Sequence, residues 1–411
     1  MEEDRKELEY PKEEKQTERL KEGKRKKKRE KSTIRGFLYG IIFMAALFAA
    51  FLFIPISPKV SNVSSLLTYK KLFQAKQIID QHFIGDVDEQ TLTDYVFVGL
   101  MAGLQDKYAA YYTKEEYENL LKSQNGYYTG IGVSIANRTE DGALIVMSVT
   151  SDGPAEKAGI KAEDVILSIN GEDASEMTST QATEIVQSAE GEITLKIRRE
   201  SSGEEFEVSM EKENLETESV TGEILENSIG YIKISSFTAV TAKQFKNIYT
   251  DMQEKGIESL IVDLRDNPGG LVSGVCDTME EILPKGIMVY TVDKYGNRTD
   301  RSCSGENEIE IPMAVLINGN TASAAEIFSG AVQDYEVGTI VGMQSYGKGI
   351  VQDVYRLSDG SVIKLTVSHY YTPNGNDIHE QGITPDEVVE DDESTDTDEQ
   401  LEKAISILKE K

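Results

Sequence analysis

The sequence has no tryptophan, only two cysteines (Cys276 and Cys303) and only three histidines (His82, His369 and His379) among its 411 residues. Two cysteines exclude a disulfide scaffold, and a pair this sparse reads first as buried free thiols, with a single bridge as the other option. Neither stands at a helix start or in a basic patch, so no activated thiolate is expected. Histidine chemistry has equally little to draw on. His82 lies in a helical pattern, and His379 sits in NDIHEQGIT, which is no HExxH metal pattern. No metal site is expected. Positive charge is scarce too, with 43 Lys and Arg against 72 Asp and Glu and a formal net charge of -29. Such a surface repels phosphate backbones and excludes nucleic acid as a partner. Even so, 39% hydrophobic residues are enough to bury, so wholesale disorder is excluded. The length exceeds the roughly 250 to 300 residues at which one core stops growing, so two or more packed units are expected.

Long apolar runs are absent but for one, Gly36 to Ile54, GFLYGIIFMAALFAAFLFI. At ~1.5 Å per residue it reaches about 28 Å, close to a hydrocarbon core of ~30 Å. The preceding residues, 1–35, carry 14 basic and 10 acidic side chains, and PISPKVSNVSS after the run has one lysine. That asymmetry predicts a cytoplasmic tail over 1–35, a transmembrane anchor over 36–56, and an extracytoplasmic remainder. A cleaved signal peptide has a shorter apolar region and a small-residue cleavage site, and no clear A-x-A follows here. A buried hairpin helix would leave the basic flank unexplained.

Beyond the anchor, 57–125 reads as a helical region: SSLLTYKKLFQAKQIIDQHF and TLTDYVFVGLMAGL repeat apolar residues at three and four, and TKEEYENLLK opens with acids. From 126 to 212 the period becomes strand-like, in TGIGVSIAN, ALIVMSVT, DVILSING and EITLKIRRE, with one helix near 178–191. From 213 to 390 strands such as IGYIKISSF, ESLIVDLRD, MAVLING and GTIVGMQS alternate with helices, which argues for a layered α/β domain. The run EVVEDDESTDTDEQ reads as a solvated linker, so 391–411 is expected to be acidic linker and terminal helix. Its acids lack the glycine an EF-hand turn needs.

Three constellations carry chemistry. In the first, Ile131, Gly132 and Val133 start a strand beside two glycines, where successive backbone N–H groups can converge on an anion. In the second, NGNTASAAE places Ser323 where a strand ends and a helix begins, with the N–H of Ala324 aimed at a developing oxyanion. An ordinary N-cap serine is the alternative. In the third, MQSYGKG puts Lys348 between glycines, 25 residues after Ser323, with Gln352 four further on. A serine needs a base, and a lysine supplies one once burial disfavours its ammonium form. The Gln352 carboxamide can orient the amine without adding charge. A phosphate-binding P-loop is excluded at position 349, where a hydroxyl is required and glycine stands.

GIGV together with GPAEKAGIKAEDVILSING at 153–171 resembles the PDZ family. The resemblance implies that the N–H groups of Ile131, Gly132 and Val133 hold a peptide C-terminal carboxylate while the chain adds as a strand. From about Ser64 to Pro385 the order DKYAAYYTKEEY, the PDZ-like module, IGYIKISSF, DLRDNPGG, NGNTASAAEI, SYGKG and KLTVSHYYTPNG resembles the C-terminal processing peptidases, or tail-specific proteases, of bacteria and plastids. That resemblance implies an α/β, crotonase-like peptidase core with an inserted β-rich PDZ domain, to which the patterns above add an N-terminal helical region and one transmembrane helix. It implies Ser323 as nucleophile, Lys348 as general base, Gln352 as its partner, and Ala324 with Gly269, or less readily Gly270, as oxyanion hole. No cofactor is implied. The partners implied are protein or peptide substrates with free C-termini and a bacterial cell membrane crossed once, with the catalytic part outside; a homo-oligomer stays open. The rival is a non-catalytic PDZ scaffold that retained the fold. Two departures from the family pattern are Met343, where an acid is usual, and Ser368-His369, where a basic residue is usual. They bear on how the lysine loop is positioned and not on the reaction type.

Overall fold

The computed structural model describes residues 62–139, 141–390 and 397–410, together with Met44. The tail over 1–35 and, apart from Met44, the anchor expected over 36–56 lie outside the described residues. Among the described residues no helix is long and apolar enough to cross a membrane. The chain divides into two units, Met1–Glu89 and Gln90–Lys411. In the first, helix α1 (Asn62–His82) exposes Leu67, Leu72, Phe73 and Ile78. Its Lys76 pairs with Asp80 one turn on and with Glu89 at 2.7 Å.

Helix α2 (Glu89–Ala102) leads into the second unit, followed by strand β1 (Ala110–Tyr112) and helix α3 (Lys114–Gln124). The start of α3 is a capping box: Glu116 N–H donates to the Thr113 hydroxyl and Thr113 N–H to the Glu116 carboxylate. The strand at 110–112 departs from the all-helical expectation for this region. Its residues pair with a long core strand, so a tertiary partner overrides the local pattern.

The β-rich module begins with β2 (Tyr127–Gly130), β3 (Val133–Asn137), β4 (Leu144–Val149) and the short helix α4 (Pro154–Lys157). It continues through β5 (Val165–Ile169), β6 (Glu172–Asp173), helix α5 (Ser179–Ser188), β7 (Glu192–Arg198) and β8 (Glu205–Glu211). The sheet order is β3-β4-β5-β7-β8, with β6 against β5. Alternation along β7 buries Ile193, Leu195 and Ile197 against Ile131, Leu144 and Ile166. Among the described residues β3 pairs with β4 alone, which leaves its other edge open for an added strand. The module returns to the core through β9 (Glu213–Glu216), which pairs antiparallel with β2 as a two-stranded ribbon.

The core follows as β10 (Val220–Leu225), β11 (Ile229–Ile234), α6 (Thr241–Glu254), β12 (Ser259–Asp263), α7 (Val272–Met279), β13 (Gly286–Asp293) and β14 (Arg298–Cys303). Then come β15 (Met313–Ile317), α8 (Ala324–Asp334), β16 (Thr339–Gly342), β17 (Ile350–Arg356), β18 (Val362–Tyr371), β19 (Glu387–Val388) and α9 (Glu399–Lys409). The main sheet runs β10-β11-β12-β15-β16-β19, parallel from β11 onward. Every residue of β12 and β15 is buried, as expected of central parallel strands covered on both faces. Phe245, Val275 and Phe328, from α6, α7 and α8, pack in one cluster with Val262, Val315 and Ile317, while Ala404 and Leu408 of α9 pack with Ile261, Ala314 and Leu316. Asp398 caps α9 and pairs with Arg265 at 2.8 Å, tying this helix to the loop after β12. A second sheet, β1-β18-β13-β14 with β17 against β18, stands beside the first. Glu387 and Val388, expected in the solvated linker, extend the main sheet instead. Both cysteines are free and buried, and burial pushes the Cys276 thiol up to about 11.

Candidate active site

The adjacent parallel strands β12, β15 and β16 end side by side, so the three loops that follow them meet at one edge of the sheet. These loops hold the Asp263–Gly270 run, Ser323 and Lys348. They are cross-linked before any catalytic side chain is considered. The Asp266 carboxylate accepts from the amides of Asn318 (3.0 Å) and Asn320 (2.8 Å), and those bonds, Asn320's first, hold it below the usual carboxylate range. The Thr321 hydroxyl donates to the Leu264 carbonyl at 2.8 Å, Ala322 N–H to the Asn267 carbonyl at 2.9 Å, and Tyr346 N–H to the Thr321 carbonyl at 2.9 Å.

Ser323 occupies the turn between β15 and α8 with φ 57° and ψ -116°. A positive φ is strained for a residue with a Cβ, and it is held because its neighbours are fixed. Ala324, first in the helix, has no helical carbonyl for its N–H, so that donor stays at the edge where the serine stands. Gly269 explains the close fit on the other side. Its φ is +100°, and a Cβ there would stand 2.7 Å from the Ser323 Cβ and 2.8 Å from the Ala324 nitrogen. Its N–H, however, donates to the buried Asn267 carboxamide at 2.8 Å. The next peptide unit is oriented by the Gly269 carbonyl, which accepts from Phe237 N–H at 2.8 Å. A trans peptide directs its N–H opposite to its C=O, so the Gly270 N–H points away from Phe237.

Two buried side chains join the serine turn to the lysine loop. The Glu326 carboxylate, fully buried on the first turn of α8, accepts from Ser323 N–H (2.7 Å), the Ser345 hydroxyl (2.6 Å), Gly347 N–H (2.6 Å) and Lys348 N–H (2.8 Å). Four donors supply the compensation that a carboxylate out of water requires. The Tyr370 hydroxyl, from β18, donates to the Ser323 carbonyl (2.9 Å) and to the Lys348 carbonyl. Burial pushes the Tyr370 phenol well above its usual range, so it stays a donor.

Lys348 is half-buried, and its Nζ lies 4.7 Å from the centre of the Tyr108 ring. Burial lowers its pKa from the usual lysine value, and the Lys364 and Lys107 charges lower it further, against the opposing pull of Tyr346 and Glu326. Among the described residues its amine makes no hydrogen bond to the Ser323 hydroxyl or to Gln352. Gln352 follows a register irregularity between β17 and β18, and its amide donates to the Ile350 carbonyl at 3.4 Å. The structure therefore brings Ser323 and Lys348 together through their backbones and leaves Gln352 turned to its own strand.

In the β-rich module, the Ile131 carbonyl accepts from Ala155 N–H and the Gly132 carbonyl from Thr150 N–H, both at 2.9 Å. Val133 then begins β3, whose free edge continues from this loop. Sequence reasoning gave no role to Glu326, Tyr370, Asn267 or the Lys107–Tyr108 pair. The Ser-x-x-Glu spacing from Ser323 to Glu326 is a capping-box pattern and was the available signal for Glu326. For the others, only long-range pairing reveals the contact.

Residues 228–389 match peptidase family S41, and residues 120–198 match the PDZ domain. Among solved structures, the photosystem II D1 C-terminal processing protease aligns with 25% identity and a TM-score of 0.46, over 77% of this chain and 86% of that one. The chain is 33% identical over 296 residues to a carboxyl-terminal-processing protease of Synechocystis sp., spanning 71% of this chain and 69% of that protein. It is 31% identical over 319 residues to the carboxy-terminal processing protease CtpA of Bacillus subtilis, spanning 77% and 68%. A serine peptidase core carrying a PDZ domain is the class of protein these matches define. The chain belongs to peptidase family S41, among its C-terminal processing proteases.

Proposed function

We propose that this protein is a membrane-anchored, extracytoplasmic endopeptidase that captures the C-terminal tails of proteins in its PDZ groove and cleaves them with Ser323 and Lys348. The observation that carries the reading is the shared clamp of Glu326 and Tyr370, which fixes the backbones of a strained serine and a half-buried lysine to one another. An ordinary N-cap serine has no need of such a link to a lysine loop. The apolar run 36–54 with its basic flank supports the anchor and the orientation.

In the proposed reaction the neutral Lys348 amine leaves the Tyr108 ring and takes the Ser323 proton as the serine oxygen attacks the scissile carbonyl. Gln352 turns from Ile350 to accept from the lysine amine and hold it. The oxyanion is received by Ala324 N–H and a glycine N–H. Since Gly269 N–H is held by Asn267, the second donor is assigned to Gly270, reversing the preference expected from the sequence. The lysine then protonates the leaving amine, and water, deprotonated by the same lysine, hydrolyses the ester. In the PDZ domain, the N–H groups of Ile131, Gly132 and Val133 take the tail carboxylate while the tail pairs with β3.

The test is cleavage of an unfolded protein by the full-length enzyme in detergent, compared with Ser323→Ala and Lys348→Ala. Both variants are expected to lose turnover by at least about 1,000-fold while folding normally. Substantial activity in Lys348→Ala would return the base to His369 or His379.

A further inference from the structure

Lys348 is not alone. Lys107 Nζ lies 4.9 Å from the centre of the same Tyr108 ring and 5.1 Å from that of Tyr346, whose hydroxyl it contacts at 2.8 Å. Lys364 Nζ contacts the Tyr112 hydroxyl at 3.0 Å and lies 5.3 Å from that ring. Strand register fixes where Lys364 stands. It pairs with Val354, and Thr366 pairs with Gln352, so alternation puts Lys364 on the face of the β17–β18 ribbon that carries Gln352. On its other side Lys364 pairs with Ala110 of β1, which sets β1 beside β18 in the same sheet; by alternation Tyr108 and Tyr112 share this face, and they meet Lys348 and Lys364 there.

The three lysines share a second property. In a chain of net charge -29, none of them has a carboxylate within ion-pair distance among the described residues. Each meets tyrosine instead. A phenol or an aromatic face steadies an ammonium without cancelling its charge. Taken element by element, the groups facing Lys348 are Lys364 from β18, Lys107 and Tyr108 from the segment before β1, Tyr346 from its own loop, and Glu326 from α8. Glu326 is the only carboxylate in that set, and its oxygens are taken by four donors.

We propose that Lys364, assisted by Lys107, is a positioning residue that acts on Lys348 through charge: two fixed, unneutralised ammonium groups disfavour a third and keep the Lys348 amine neutral and ready to accept the serine proton. The tyrosine set lets the cations stay close without an acid that would undo their effect. Lys364, half-buried and anchored on a strand, is the stronger contributor, and exposed Lys107 is the weaker because solvent screens it. This rests on Lys348 being the base.

The experiment measures the pH dependence of kcat/KM for a short reporter peptide, and of serine labelling by a fluorophosphonate, on the full-length enzyme in detergent. The Lys364→Met variant is expected to move the rising limb upward by ~1 pH unit, a roughly 10-fold loss below the limb that shrinks above it. Lys107→Met moves the limb in the same direction by less, and Lys364→Arg brings it back toward the wild-type position. Raised salt moves the wild-type limb upward as well, a reading that needs no substitution and stands even if Lys364→Met fails to fold. A uniformly lower rate with an unmoved limb, in either readout, overturns the proposal and leaves Lys364 as packing. Activity surviving Lys348→Ala is a different result, which overturns the base assignment itself.

Discussion

Ser323 and Lys348, 25 residues apart in the chain, are joined backbone to backbone by two buried side chains: Glu326 accepts from both of their N–H groups, and Tyr370 donates to both of their carbonyls. Both side chains come from packed elements, α8 and β18, and not from the loops they hold. The geometry of the pair is thus set by the core, which keeps loops rich in glycine in one arrangement.

Glu326→Gln keeps the shape and removes the charge, and it turns an NH2 group toward donors that need an acceptor. A buried donor left without its partner is costly, so a loss of about 3 kcal/mol in urea unfolding is expected. Turnover is expected to fall on the order of 100-fold, because a loosened clamp misplaces both reacting groups. Tyr370→Phe, which removes one hydroxyl and leaves the ring, should cost about 1 kcal/mol. Unchanged stability and rate in Glu326→Gln would show that the loops hold their own conformation.

Much of this was legible in the chain because its signals are local. Short apolar runs such as LIV in ESLIVDLRD and MAVLI read as strands, and small residues before AAEIFSGAVQD mark the serine turn. What is not legible depends on pairing at a distance. The strand at 110–112 is three residues long and exists because β18 receives it. The strand Arg298–Cys303 gives little signal of its own because it is mostly polar and exposed, with no clean apolar alternation. DLRDNPGG gives no sign that the Asn267 carboxamide accepts from the Gly269 N–H, a contact that only the folded turn makes.

The depressed pKa of Lys348 predicts a stability effect as well as a rate effect. A lysine whose pKa is lower in the fold than in the unfolded chain binds fewer protons when folded, so between the two values stability rises with pH. Below the folded value the penalty is full; above the usual lysine value of 10.5 it is gone. Lys348→Met is therefore expected to abolish turnover yet raise Tm at pH 7, by about 2 °C. The gap should close as the pH is taken toward 10. A Met variant less stable at pH 7, or a gap that widens with pH, would mean that the ammonium is well solvated in the fold.

Tail capture is predicted to depend on the terminal carboxylate. Peptides with apolar C-terminal residues, titrated into full-length Ser323→Ala so that none is cleaved, should bind on the order of 10-fold more tightly with a free carboxylate than with an amide. The N–H groups of Ile131, Gly132 and Val133 can serve an anion because the carbonyls of Ile131 and Gly132 are already bonded within the domain. Equal affinity for the two peptides would leave this loop a purely structural bend.

The last prediction concerns how capture reaches the serine. The PDZ domain is inserted in the chain, and the β2–β9 ribbon joins it to the core. The ribbon touches the carboxylate loop directly: the Leu215 side chain on β9 abuts Gly132, and the Tyr128 hydroxyl on β2 meets that of Thr150 at 3.1 Å. Thr150 in turn donates its N–H to the Gly132 carbonyl. A tail carboxylate that orders this loop therefore acts on the hinge side of the domain. In the structure the Lys348 amine rests on Tyr108 and is not bonded to Ser323, so there is a catalytic rearrangement for a tail to favour. A ligand shifts such an equilibrium only by its differential affinity for the two states. The measurement is cleavage of a short reporter that has no C-terminal anchor, with and without a saturating, uncleavable tail peptide. Acceleration of several-fold is expected, and Leu215→Ala should weaken it while sparing the tail's affinity. Simple competition, or no change, would reduce the domain to a tether that raises the local concentration of substrate and does nothing to the site.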